Sequence, residues 1–260
     1  MNLSNHKIFF LSVLFLFLFL LSFFVVHAET AQQMMQRANT AYQNQQYAEA
    51  VALYQQVADA GNEGSVLFYN LGNAYYKTDD LSHALLWYER ALRLDPRNED
   101  IKHNIAFVNR QLVDRIEVLP ELFITRWWNA LSKSVTSNTW AMLSIIFCSL
   151  MFLSVALILV GRRPWLRSLG LATTIVSLLL SVFSVIFAHK EAVRYEKFPE
   201  AIVMQPVLNA KSTPNATGND LFVIHEGLKV GVADRLNDWY EIKLPNGEKG
   251  WVPASGVEII

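Results

Sequence analysis

Two uninterrupted apolar runs, residues 140–160 and 169–188, constrain this chain more than any other feature. Each is about 20 residues long, enough to cross a bilayer core of about 30 Å as a helix. The connector between them, Gly161-Arg-Arg-Pro-Trp-Leu-Arg-Ser168, holds three arginines and no acid. Cationic loops stay on the cytoplasmic side, so the pair reads as a two-helix transmembrane hairpin with a cytoplasmic loop at 161–168. No ionisable residue falls within either run, which argues against a channel or proton relay. Ser177, Ser181, Ser184 and Ala188 share one helical face, as do Ala141, Ser144 and Cys148, and small faces of this kind suit close helix packing.

A third apolar run, 8–26, follows Lys7 and closes with Val26-His27-Ala28 ahead of Glu29. This fits a secretory signal peptide over 1–28, and an uncleaved signal-anchor is the alternative. Either way the following segment is exported. Together the export signal and the hairpin put residues 29–139 and 190–260 on the same outer side of the membrane. Three such runs account for a mean hydropathy of +0.22 with 52% apolar residues.

The exported parts are acidic. Residues 29–119 carry eight Lys/Arg against twelve Asp/Glu, and 190–260 carry eight against ten, so neither offers the basic stripe that nucleic acid needs. The single cysteine, Cys148, lies in a membrane run, which leaves no intrachain disulfide and no cysteine metal cluster. The sequence contains no His-Glu-x-x-His, Gly-x-Ser-x-Gly or phosphate loop. Neither a catalytic residue, a cofactor nor a metal is expected.

A 34-residue period runs from Ala31 to about Asn98. In its second copy Phe68, Leu71, Gly72, Tyr75, Ala84, Tyr88, Ala91 and Pro96 match the tetratricopeptide (TPR) signature, allowing aromatic exchanges. The first copy is degenerate, with Ala50 and Tyr54 retained. Residues 98–105 restart a helix that caps the array, giving a TPR region over 29–114. First helices of such repeats build the concave face, which places Asn39, Tyr42 and Gln43 beside Asn73, Tyr76 and Lys77, followed by His103, Phe107 and Arg110. Paired asparagine amides there can grip a peptide backbone, and Lys77 with Arg110 can hold a carboxylate. The competing reading is an ordinary solvated helix face.

Residues 115–139 form an amphipathic juxtamembrane segment, with Leu122, Phe123, Trp127, Trp128 and Leu131 among charges. It reads as a helix in the headgroup layer or one docked on the repeat cap. Past a linker at 189–205 the periodicity changes to short alternating strands at 221–224, 228–233, 239–244 and 249–252, with an Asn-Gly hairpin turn at Pro245-Asn246-Gly247. The motifs Val207-Leu-Asn-Ala-Lys-Ser-Thr-Pro214, Gly227-Leu-Lys-Val230, Asp238-Trp-Tyr-Glu-Ile242 and Gly250-Trp-Val252 resemble the bacterial SH3-like domain over 206–260. Ala210-Lys211 stands where that family commonly has Val-Arg. Trp239 and Trp251 are expected first in the barrel core and otherwise as a ligand platform, and His225 as an isolated solvated residue.

The expected fold class is thus a multidomain membrane protein: an all-α TPR helical repeat, a transmembrane hairpin and a C-terminal all-β SH3-like barrel. The order of parts resembles the BatE-type membrane proteins of Bat aerotolerance operons. That resemblance implies an inner-membrane scaffold with periplasmic modules, whose partners are membrane proteins with von Willebrand A domains, other Bat-operon proteins and a MoxR-type AAA+ ATPase. A cell-wall receptor that holds peptidoglycan peptides and positions a hydrolase is the alternative reading.

Overall fold

A computed structural model describes residues 30–116, 120, 122–197 and 199–260. The expected signal peptide lies outside these residues. Five helices form the array: α1 (Ala31–Gln43), α2 (Tyr47–Asp59), α3 (Ser65–Lys77), α4 (Leu81–Leu94) and α5 (Glu99–Asn109). Side-chain oxygens at their N-termini take up first-turn N–H groups. Thr30 and Gln33 form a reciprocal capping box on α1, Asp80 caps α4 through His83 N–H, and Asn98 caps α5 through Asp100 and Ile101 N–H.

The degenerate first copy repeats the geometry of the second. Gln45 and Asp79, 34 residues apart, adopt the same left-handed φ (62° and 64°) at the turn within each helix pair. Gly72 is needed because a Cβ there would lie 2.7 Å from the Tyr88 ring and 3.2 Å from the Ala84 carbonyl oxygen. Tyr54, Leu71, Leu85, Tyr88, Ile101 and Val108 lie in one continuous buried cluster.

Helix α6 (Phe123–Ser132) follows. Its Leu122–Trp127 flank leaves Leu122, Phe123, Ile124 and Trp127 exposed, while Trp128 packs edge-on to Phe187 with centroids 4.7 Å apart. The segment therefore packs on the second apolar helix, and its end also meets the array, where Arg97 donates to the Ser134 carbonyl oxygen at 3.1 Å. Helices α7 (Ser137–Val160) and α8 (Pro164–Lys197) are both long and apolar enough to cross a membrane. Small residues let them approach, as expected: Ser177 and Ser184 are buried, Ser181 donates to the Ser144 carbonyl oxygen at 3.1 Å, and a Cβ at Gly170 would collide with Ile158.

Two boundaries differ from the sequence expectation. The loop between the apolar helices is shorter than 161–168, because proline favours a first helical position and α8 starts at Pro164. The expected linker at 189–205 is instead the end of α8 and a strand, β1 (Glu200–Val203). Charged residues on that last part of α8 are satisfied by neighbours. Glu191, buried, accepts from Ser132 and pairs with Arg194 at 3.1 Å, and Lys190 donates to Asn129 at 2.9 Å.

The C-terminal module adds β2 (Val207–Lys211), β3 (Asp220–His225), β4 (Lys229–Leu236), β5 (Trp239–Lys243), β6 (Lys249–Pro253) and β7 (Val257–Ile259). They form one antiparallel sheet of order β3-β2-β6-β5-β4-β1-β7. Ala201, Leu208, Ile224, Val230, Ile242, Val252 and Val257, one from each strand, share a single buried cluster, which requires the sheet to curl on itself. At the 245–247 turn only Gly247 has positive φ (91°). Gly247 N–H donates to the Leu244 carbonyl oxygen at 2.9 Å, so Pro245 and Asn246 are the centre of an ordinary tight turn followed by a left-handed glycine, in place of the expected Asn-Gly two-residue turn.

Strand β1 joins the two soluble modules. Ala201 and Val203 point into the sheet's core, whereas Ile202, 1% exposed, belongs to the buried cluster of the array. Met204 and Ile260 also pack against the array, and polar contacts surround them. Lys229 reaches Glu89 of α4 and Glu200 of β1, both at 2.8 Å. Burial opposes its charge, but those two carboxylates outweigh burial and hold the ammonium above its ordinary range. Arg90 donates to Glu258 (3.0 Å) and to the Ile259 carbonyl oxygen (2.7 Å), and Ser82 donates to Glu226 at 3.2 Å. His225, expected to be isolated, instead engages Asp114 through its backbone N–H (2.6 Å) and its ring Nδ1 (2.9 Å).

Candidate functional site

The module docks on α4, a second helix of a repeat, and leaves the first-helix face of α1, α3 and α5 open. On that face a groove of about 280 Å³ is lined by Tyr42, Asn73, Tyr76, Lys77, Tyr88, His103, Asn104, Phe107 and Val108. Six of the nine residues that the sequence places on the concave face thus come together: Tyr42, Asn73, Tyr76, Lys77, His103 and Phe107. Arg110 lies beside the groove, with its guanidinium 5.6 Å from the Phe107 ring centroid. Asn39 sits one repeat away, outside it.

The two asparagines are not free to grip a peptide in the way their spacing implies. Asn39 Oδ1 accepts from Tyr54 hydroxyl at 2.6 Å and from Asn70 at 3.4 Å. One repeat on, Asn73 Oδ1 accepts from Tyr88 hydroxyl at 2.7 Å and from Asn104 at 3.0 Å. The same Asn–Tyr–Asn triad recurs with all three members shifted by 34 residues. Burial pushes the Tyr54 hydroxyl up to about 12 and the Tyr88 hydroxyl higher still, which keeps both as donors. Each amide oxygen therefore braces the helix pair, and only the amide Nδ2 side remains to face a ligand. Tyr88 and Asn104 were not singled out as groove residues from sequence. The 34-residue register from Tyr54 and Asn70 was the signal that pointed to them.

What remains for recognition is an aromatic lining with a cationic edge. Tyr76 and Phe107 meet edge to face, with centroids 5.8 Å apart, and Tyr42 meets Tyr47 at 5.3 Å. Lys77, His103 and Phe107 are exposed at the groove. Rigid aromatic walls with a few charges suit an extended peptide carrying an apolar anchor and an acid. Among the described residues no cluster of His, Cys, Asp or Glu could hold a metal ion.

At the turn below the groove, His83 stacks on Tyr75 (centroids 4.9 Å apart) and its Nδ1 lies 2.8 Å from Asp80. The hydrogen bond to Asp80 outweighs burial and raises the His83 pKa above 6.5. A raised folded pKa adds stability below the unfolded value that is lost as pH rises through the folded one. Thermal melts followed by circular dichroism should therefore show the array losing stability as pH rises above about 6.5, a slope that His83→Gln removes. An unchanged slope in the variant would assign the dependence elsewhere.

Trp239 and Trp251 are half-exposed and lie outside the buried cluster of the sheet. On β5 and β6 the inward positions are taken by Ile242 and Val252, and the register pairs Glu241 with Trp251 and Trp239 with Pro253. Both indoles consequently share the outer face as diagonal neighbours, which corrects the expectation of a core role.

In comparisons with known proteins, the tetratricopeptide repeat model matches residues 65–98 and the bacterial SH3 domain model matches residues 206–258. No curated protein matches the chain. Among solved structures it is similar to the Yersinia enterocolitica type III secretion chaperone SycD in complex with a peptide of the translocator YopD, at 15% identity over 61% of this chain and 98% of that one, with a TM-score of 0.31. It is also similar to the first TPR of Spaghetti (RPAP3) bound to an HSP90 peptide, at 19% identity over 33% and 95% of the two chains and a TM-score of 0.22. For the C. elegans SMG5-SMG7 complex the identity is 11%, over 64% of this chain and 45% of the other, with a TM-score of 0.30.

Proposed function

We propose that this protein is a non-catalytic, membrane-tethered scaffold whose TPR groove captures an extended segment of a partner protein on the outer face of a bacterial inner membrane. The observation that carries the reading is the division of faces on the array. The SH3-like module occupies the α4 side, and the aromatic groove on the α1, α3 and α5 side stays open. With α7 and α8 crossing the bilayer and the arginine turn in the cytoplasm, both modules lie on the periplasmic side. By its resemblance to the proteins of Bat operons, the partners are membrane proteins with von Willebrand A domains, and the complex serves envelope stress tolerance. A second reading, a receptor for peptidoglycan peptides, is favoured by the two outward tryptophans of β5 and β6.

The test is mild-detergent purification of the full chain from its native membrane, with mass spectrometry of what it retains. Lys77→Glu and Phe107→Ala probe the groove without touching the tyrosine–asparagine braces. Von Willebrand A-domain proteins should co-purify with the wild type and fall about tenfold or more with either variant. Equal retention by both variants would move the contact off the groove. Retention of cell-wall fragments that depends on Trp251 would replace the scaffold with the receptor.

A further inference from the structure

Where the array, the α6–α7 turn, α8 and β1 meet, the structure forms an open cleft of about 510 Å³, at which Arg97 and Lys133 are exposed. Its lining is unbalanced: Arg93, Arg97, Lys102, Lys133, Arg194 and Lys229 face three glutamates. The glutamates are already engaged. Glu89 and Glu200 both hold Lys229 at 2.8 Å, and Glu191 pairs with Arg194 at 3.1 Å. Lys102 pairs with Glu99 at 2.9 Å and Arg93 donates to the Ile260 carbonyl oxygen at 3.0 Å, which leaves Arg97 and Lys133. Arg97 uses its Nε on the Ser134 carbonyl oxygen at 3.1 Å, and its terminal amino groups have no partner among the described residues. The Lys133 ammonium has none either. Its side chain is exposed, and partial burial, then the neighbouring Arg194 charge, press it below its ordinary pKa against the opposing pull of Glu200 and Glu191. Thr136 and Ser137, at the N-terminus of the 24-residue α7, line the same cleft and bring the positive end of that helix to it.

A guanidinium fork, a lysine point charge and a helix N-terminus converging on one space match the oxygens of a phosphate group. Height favours a lipid as its source. The apolar run of α7 starts at Trp140, about 5 Å along the axis from Ser137 at 1.5 Å per residue, so the cleft opens at the level where headgroups lie if α7 and α8 span the bilayer. The exposed apolar flank of α6, at Phe123, Ile124 and Trp127, lies in the same layer.

We propose that this cleft binds the phosphate of an anionic phospholipid headgroup, with Arg97 and Lys133 as its principal contacts. The proposal rests on the membrane-spanning reading of α7 and α8, and co-flotation of the full chain with phosphatidylcholine vesicles scores that reading separately. A chain that fails to float with vesicles sinks both. For a chain that does float, the probe is phosphatidylglycerol. Full-length protein is extracted from vesicles of phosphatidylcholine with and without phosphatidylglycerol, and the lipid it retains is measured by native mass spectrometry. Phosphatidylglycerol should be enriched over phosphatidylcholine, with enrichment falling about fivefold for Arg97→Gln and again for Lys133→Gln. Lys133→Arg and the remote, exposed Lys243→Gln should keep it, which separates loss of the site from general loss of charge or fold. Equal retention of the two lipids by the wild type would overturn the proposal. Displacement of the lipid by millimolar inorganic phosphate would overturn the lipid as occupant in favour of a soluble phosphate.

Discussion

Replacing Ile202 with lysine should undock the SH3-like module from the TPR array. Ile202 is 1% exposed and packs in the buried cluster of the array, although it belongs to a strand of the sheet. Truncating such a residue to alanine costs about 2–5 kcal/mol. Lysine adds a second penalty, because the register places Ile202 directly opposite Lys229, whose own charge is already balanced by Glu89 and Glu200. Like charges facing across a strand pair repel, and the carboxylate opposite on β7, Glu258, is already held by Arg90 at 3.0 Å. The expected result in hydrogen–deuterium exchange of the full chain in micelles is regional: amides of α4, β1 and β7 lose protection, while those around Ile224 and Ile242 in the sheet keep theirs. Ile202→Val, at about 1 kcal/mol, should leave the exchange pattern intact. Wild-type protection in the lysine variant would mean that the modules are held together elsewhere.

The second large effect is expected at Tyr88. Its ring fills the space that Gly72 leaves, and its hydroxyl donates to Asn73 at 2.7 Å. Tyr88→Ala removes the filler between α3 and α4 at a cost of about 3–5 kcal/mol. In an array of two repeats and a cap there are few neighbours to share that loss, so the helical signal should melt far below the wild type. Tyr88→Phe keeps the ring and removes only the hydroxyl. Asn73 Oδ1 still receives the Asn104 amide at 3.0 Å, so the cost should stay near 1 kcal/mol. Equal melting points for the alanine and phenylalanine variants would show that the hydroxyl, and not the ring, braces the pair.

Periodicity made some parts of this molecule legible and left others hidden. The second repeat was readable because Gly72, Ala84 and Tyr88 are dictated by close helix packing, and the first followed by register from Ala50 and Tyr54. The concave positions followed from the same register, but the use of Asn39 and Asn73 as braces did not, since a concave asparagine looks the same in sequence whether it holds a ligand or a neighbouring tyrosine. Strand β1 was hidden for a physical reason. Ala201, Ile202 and Val203 are buried on both sides, so they show none of the alternation that marks a half-exposed strand. The end of α8 was hidden because Lys190, Glu191 and Arg194 end the apolar run, while in three dimensions Asn129, Ser132 and Glu200 offset their charge and polarity. Ser82, Glu89 and Arg90 likewise look like an ordinary wet helix face until the sheet is laid against them.

Helix α8 runs 34 residues, about 51 Å at 1.5 Å per residue, and only Phe198 and Pro199 separate it from β1. Near its C-terminal end it is clasped by Ser132 and Asn129, and β1 in turn is wedged against α4. In the membrane-crossing arrangement proposed above, the chain has the form of a lever with its handle in the bilayer. A tilt of α8 by about 10° swings its outer end by about 9 Å, and through the contacts of Ser132, Asn129 and β1 the array and its groove travel with it. Bilayer thickness, or a neighbour that leans on the hairpin, would thereby set the height and heading at which the groove meets its partner.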